Sequence, residues 1–544
     1  MIRNPILPGF NPDPSICRVG ADYYIATSTF EWFPGVQIHH SRDLANWTLL
    51  SRPLVRASQL DMRGDPDSCG VWAPCLSHDG ARFHLIYTDV KRYGRTSTAG
   101  GTTGASLRDF HNYLVTCDII DGDWSDPVHL NSSGFDPSLF HDADGRKYLL
   151  NQLWDYRPGR NRFAGIVIQE YSPEERRLIG ERVNIFAGTS LGLTEAPHLY
   201  RRGDWYYLIT AEGGTGWNHA VTMARARHLL GPYEIHPDTY ILSSRTRPDA
   251  PLVRAGHADL VETPDGTPYL AYLCGRPLPN RGRCVLGRET ALQPMRWADD
   301  GWLYTLDGQG LPTREAEAPD LPTSPPRPTE ARYDFDEASP PVDLQWLRTP
   351  EPEAIFSLNE RPGHLRLYGR ETIGSLFTQA LVARRQQAFC YSASCALEFE
   401  PEHFQQAAGL VAYYNGAKFH YLHVTHDEEI GRHLRVMSAL PDCVQADAFT
   451  GPIPIPPGRV ELRIEVDYER LRFAWRLPEG EWNWLPEQFD ASILSDEASA
   501  PGQPNFTGAF VGMACQDMAG TAHPADFDWF DYRERPYAPA VETL

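Results

Sequence analysis

Over roughly the first 300 residues the apolar positions fall in short runs, without the roughly 3.6-residue period of an amphipathic helix. Aromatic-apolar stretches recur at Tyr23-Tyr24-Ile25-Ala26, Phe83-His84-Leu85-Ile86-Tyr87, Tyr148-Leu149-Leu150, Tyr206-Tyr207-Leu208-Ile209 and Tyr269-Leu270-Ala271-Tyr272, and each reads as a β-strand. Turns rich in Gly and Asp precede them, such as Arg18-Val19-Gly20-Ala21-Asp22, Asp142-Ala143-Asp144-Gly145 and Pro264-Asp265-Gly266-Thr267, so strand-turn-strand hairpins are predicted. Ahead of the turns stand five related segments: Asp13-Pro-Ser-Ile, Ala73-Pro-Cys-Leu, Asp136-Pro-Ser-Leu, Ala196-Pro-His-Leu and His257-Ala-Asp-Leu. Their second residues fall at 14, 74, 137, 197 and 258, a period of about 61 residues.

A unit of that length has room for a four-stranded sheet, and five units closed in a ring make a five-bladed β-propeller with short edges, expected over residues 1–318. A parallel β-helix is the alternative, but its repeats are much shorter. The pattern stops after Leu311, and prolines at 319, 322, 325, 326 and 328 mark a linker over 319–330. Beyond it Val460, Leu462, Ile464 and Val466 alternate with charged residues. The alternation resumes after Asp467-Tyr468-Glu469-Arg470 at Leu471, Phe473, Trp475 and Leu477, a hairpin with one buried face. Similar patterning at Leu365 and Leu367 and around Tyr421-Leu422-His423-Val424 predicts an all-β sandwich of concanavalin or lectin type over 331–544.

Composition narrows the function. The 544 residues exceed one hydrophobic core, and the formal charge of -21 without a lysine or arginine block argues against nucleic acid or an anionic membrane as partner. No stretch resembles a signal peptide or a membrane span, so the protein is expected in the cytoplasm. Ten cysteines without Cys-x-x-Cys or zinc spacing read as small buried hydrophobes.

In a propeller, equivalent positions of different blades converge on the axis. At the start of the five segments, or one position before, stand Asp13, Trp72, Asp136, Glu195 and His257. A single Asp before Pro-Ser is by itself a turn residue, but acids at the same place in three of five blades point to a shared pocket. Paired carboxyls across a pocket are what glycosidic cleavage needs, one protonated to donate to the leaving oxygen and one ionised to attack or to activate water. Crowding such groups where solvation is poor raises at least one pKa, so a third acid can modulate. Aromatics near the repeat, in the Phe30–Phe33 segment and at Trp72, suit the CH face of a sugar; Phe33 reads equally well as propeller core.

The run Asn4-Pro-Ile-Leu-Pro-Gly-Phe-Asn-Pro-Asp-Pro-Ser15, with Thr27-Ser-Thr-Phe-Glu-Trp-Phe-Pro-Gly35, resembles the bacterial β-xylosidases of glycoside hydrolase family 43. The likeness continues through Gly70-Val-Trp-Ala-Pro-Cys75, Gly134-Phe-Asp-Pro-Ser138, Thr194-Glu-Ala-Pro-His198, Gly256-His257, Leu286-Gly-Arg-Glu-Thr290 and Phe506-Thr-Gly-Ala-Phe-Val-Gly512. The resemblance implies an exo-acting, inverting hydrolysis of xylobiose and xylooligosaccharides, with Asp13 as general base, Glu195 as general acid and Asp136 tuning the acid. It implies that Arg288 hydrogen-bonds the sugar, that Phe30 and Trp72 wall the nonreducing-end subsite, and that Phe506 closes the pocket from the sandwich. It places His257 at the floor of the funnel, as a structural residue or beside a calcium ion; no cofactor is required, and a homodimer or tetramer is expected. An α-L-arabinofuranosidase on the same fold and a sugar-binding propeller without catalysis are the competing readings. The retaining fructan-cleaving propellers begin with Trp-Met-Asn-Asp-Pro-Asn, which this chain lacks.

Overall fold

The computed structural model describes residues 1–93, 96–98, 101–103, 108–279, 281–441, 448–498 and 505–535. The far end of the expected sandwich, 536–544, lies outside them. Among the described residues there is no α-helix, only two short 3₁₀ turns, and no helix is long and apolar enough to cross a membrane.

Five four-stranded antiparallel sheets succeed one another along the chain. Their first strands are Ser15–Val19, Gly70–His78, Ser138–His141, Glu195–Arg202 and Val253–Glu262, and their second strands carry the aromatic-apolar runs. The predicted hairpins form with tight turns, as where Val19 pairs with Asp22 across Gly20, whose φ of 64° suits a residue without Cβ. The ring is the five-bladed propeller that the period of about 61 residues predicts. The N-terminal segment ties its ends: Ile2–Arg3 pairs with Glu315–Ala316, and the Asn4 side chain bonds to the carbonyls of Leu292 and Thr313.

Two nine-stranded sheets follow, face to face. The predicted hairpin is Val460–Asp467 with Arg470–Arg476, in register Val466 to Leu471 and Ile464 to Phe473, all four buried. One correction concerns Phe33. It lines no sugar-binding wall: it is buried in core shared with Val36, Ile38 and Leu54 of the propeller, while its backbone, in Trp32–Phe33, forms the edge strand of the second sandwich sheet, pairing with Trp346 and Leu347. Trp32 stacks on Phe510 with ring centroids 3.7 Å apart. The strand Lys418–Asp427 is buried on both faces, because one side faces the opposing sheet while Phe419 and Tyr421 join a core that includes Phe10, Phe30 and Trp32 of the propeller. The two lobes therefore share hydrophobic core, and the seam runs beside the propeller axis. The nine described cysteines are free and buried; Cys443 lies outside the described residues.

Candidate active site

The first residue of each repeat segment takes the same unusual backbone form. Asp13, Ala73, Asp136, Ala196 and His257 have φ of 56°, 40°, 53°, 51° and 46°, a left-handed region that costs a residue with a Cβ roughly 1–2 kcal/mol. In three blades the bend is a bulge in the ladder, with register shifts after Trp72, Glu195 and Gly256. A bulge re-aims side chains, and here it delivers two rows to the axis. The bend residues Asp13, Asp136 and His257 and the preceding residues Trp72, Phe135 and Glu195 all line one cavity of about 340 Å³. Where the bend residue is alanine, the residue before it carries the functional side chain. In the third blade both Phe135 and the bend residue Asp136 line the cavity, and the chain passes close to the next strand at Gly134, where a Cβ would sit 1.8 Å from the Gln152 carbonyl oxygen.

The three acids differ in their partners. Asp13 Oδ1 accepts from Arg288 Nη1 at 2.7 Å, and Oδ2 accepts from Ser28 Oγ at 2.7 Å, while Ser28 itself accepts from the Ala73 N–H at 2.7 Å. Such charge-assisted bonds are short and fix the carboxyl group in place. Glu195 has no such cation in contact. Burial, reinforced by the charge of Asp13 and only partly offset by Arg288, pushes its carboxyl up to about 8. Burial, with Glu195 and Asp13 adding to it and Arg288 only partly offsetting it, likewise holds the Asp136 carboxyl well above the usual range. The cavity thus contains one carboxylate fixed by a guanidinium and two carboxyls that burial shifts upward.

The remaining predicted residues also meet here. Phe30 and Trp72 have ring centroids 5.6 Å apart, and Phe506, from the sandwich, lies 5.6 Å from Trp72 and 6.4 Å from Phe30. Arg288 Nη2 donates to the Phe506 carbonyl at 2.9 Å, so this arginine bridges base and wall. His257 Nδ1 stands 3.7 Å from Asp13 Oδ1 and 4.0 Å from Asp136 Oδ2, and burial lowers the imidazole to about 4, leaving it neutral. Calcium takes six to eight oxygen ligands. Among the described residues no group of three His, Cys, Asp or Glu side chains is arranged to hold a metal ion.

Several cavity residues escape sequence reasoning. Phe135 was findable, since it occupies the same repeat position as Trp72 and Glu195. Tyr93, whose phenol is raised by burial and by the charge of Glu195, Phe163 and Leu193 lie on strands and loops outside the repeat motif, where nothing in the pattern marks them.

Residues 2–303 match the model of glycosyl hydrolases family 43, and residues 332–533 match the beta xylosidase C-terminal concanavalin A-like domain. The chain is 53% identical to a xylosidase/arabinosidase 43B of Humicola insolens, over 98% of this chain and 97% of that protein. It is 50% identical to a beta-xylosidase of Bacillus subtilis strain 168, over 98% and 100%. The crystal structure of a xylan beta-1,4-xylosidase from Bacillus halodurans C-125, 50% identical, superposes with a TM-score of 0.93 over 98% of this chain and 100% of that one. With a propeller and a sandwich that both match, the chain belongs to glycoside hydrolase family 43.

Proposed function

We propose that this protein is an exo-acting, inverting β-xylosidase that releases xylose from the nonreducing ends of xylobiose and longer xylooligosaccharides. The observation that carries this reading is the meeting, in one aromatic-walled cavity, of a carboxylate held by Arg288 and Ser28 with a carboxyl kept protonated by burial. Asp13 takes a proton from water as that water attacks the anomeric carbon. Glu195 gives its proton to the departing glycosidic oxygen, so the pair exchanges charge and one bond forms as another breaks. Asp136, the third acid of the same cavity, stands beside Glu195 and orients it. Phe30, Trp72 and Phe506 enclose the xylosyl ring, and Arg288 orients it while neutralising the base. A cavity of about 340 Å³, near the small end of ligand sites at roughly 300–1,000 Å³, suits a chain end better than a long polymer, which supports the exo mode. The two Bacillus relatives, named as xylosidases, point to the same substrate class.

Proton NMR during xylobiose hydrolysis tests the proposal: α-xylose is expected first, and initial β-xylose would refute inversion. The Humicola relative's name carries arabinosidase as well as xylosidase, so kcat/KM on aryl β-xyloside is expected to exceed that on aryl α-L-arabinofuranoside, with the latter measurable.

A further inference from the structure

Arg348 lies far from the reacting groups, in the sandwich, yet it is fully buried against the propeller and has a φ of 60°. Its backbone N–H donates to the Glu31 carbonyl at 2.9 Å. Its guanidinium spends every nitrogen: Nε on the Asp65 carbonyl at 2.8 Å, Nη1 on Gln379 Oε1 at 2.9 Å and Nη2 on Asp67 Oδ1 at 2.7 Å. A buried guanidinium is tolerated only when bonded in this way, and two of the three bonds go to the propeller loop around 65–68. The Glu31 carboxylate grips the same loop by accepting from the Ser68 N–H at 3.1 Å.

Ser68 is where this loop meets two walls of the cavity. Its carbonyl accepts from Trp72 Nε1 at 3.0 Å, and its hydroxyl oxygen accepts from the Phe506 N–H at 3.1 Å. One residue therefore holds a wall from the propeller and a wall from the sandwich. Phe506 in turn receives Arg288, which holds Asp13.

From this chain of contacts we infer that Arg348 and Ser68 are positioning residues for the glycosidase reaction, setting the gap between Trp72 and Phe506 and so the fit of the xylosyl ring. The inference rests on the β-xylosidase reading and extends it to specificity. A hydrogen bond running from Arg348 through a rigid loop to both walls makes substrate fit depend on sandwich docking, although neither residue touches sugar. Loss of the guanidinium fork frees the loop, and displacement of a wall by about 1 Å is enough to cost up to a hundredfold.

The experiment compares the full-length protein with Arg348→Lys and Ser68→Gly on xylobiose. Ser68→Gly removes the whole side chain and with it the bond to Phe506, and the φ of 63° at Ser68 favours glycine, so it guards against a folding failure of the arginine variant. Both variants are expected to raise KM about tenfold with kcat changed less than about threefold, and to leave the pH profile of kcat in place. A merely structural role would lower apparent kcat through lost active protein at constant KM; that result, or unchanged kinetics in both folded variants, overturns the inference. Failure of the wild type to hydrolyse xylobiose would be seen before any variant is compared, and would remove the function itself along with the inference built on it.

Discussion

Replacing Glu195 by Gln should stabilise the protein at alkaline pH while destroying its chemistry on natural substrates. The carboxyl is pushed from an ordinary 4.5 to about 8 by burial and by Asp13. Between those values the unfolded chain has released the proton and the native protein still holds it, so the native state binds more protons and its stability falls as pH rises through the window. At about 1.4 kcal/mol per pH unit, the ionised acid costs the fold on the order of 5 kcal/mol once pH exceeds about 8. Gln keeps the shape of the protonated acid without a titration. Thermal unfolding of both proteins from pH 4 to 9 is the assay. The two should coincide at pH 4 and separate steadily above it. At roughly 1 °C per kcal/mol for a chain of 544 residues, the variant should lead by about 5 °C at pH 8.5. In an Asp13→Asn background the separation should shrink, because Asp13 supplies part of the upward push. A constant offset at all pH values, or a variant less stable at pH 8.5, would refute the account of Glu195 as a proton-holding buried acid.

Two further outcomes follow from the same geometry. Asp13→Asn should lower kcat at least about a thousandfold on xylobiose and on activated aryl xylosides alike, whereas Glu195→Gln should spare substrates whose leaving group needs no proton; equal losses on both substrates in the Glu195 variant would count against its acid role. Trp32→Ala, at a fully buried ring stacked on Phe510, should cost about 3–5 kcal/mol in denaturant unfolding, and a loss below about 1 kcal/mol would show that the seam does not depend on that stack.

Much of the site was legible because the chain repeats itself. A period of about 61 residues relates Asp13, Trp72, Asp136, Glu195 and His257 without any knowledge of coordinates, since a ring of similar blades must bring similar positions to one axis. The family resemblance then implied distinct roles for three chemically similar acids. The repeat was less informative about why two offset rows serve one cavity. That depends on a left-handed bend at the segment start, which Asp-Pro and Ala-Pro do not announce. His257 also stayed open in sequence, because an imidazole reads as ligand or as structural residue until its neighbours are known; its neutral state follows from burial.

The sequence by itself determined the all-β class, the fivefold ring, the sandwich hairpins and the acids, because all of these are written in local alternation and in periodic spacing. Only the tertiary structure decided which edge Trp32–Phe33 would pair with, that Phe506 and Trp72 would share Ser68, and which carboxyl would be the one in contact with Arg288. Pairing groups and charges at an edge or a seam are chemically satisfied by any partner of matching geometry. The choice among them falls to long-range packing, which brings together residues hundreds of positions apart and sets, through burial, which acid keeps its proton.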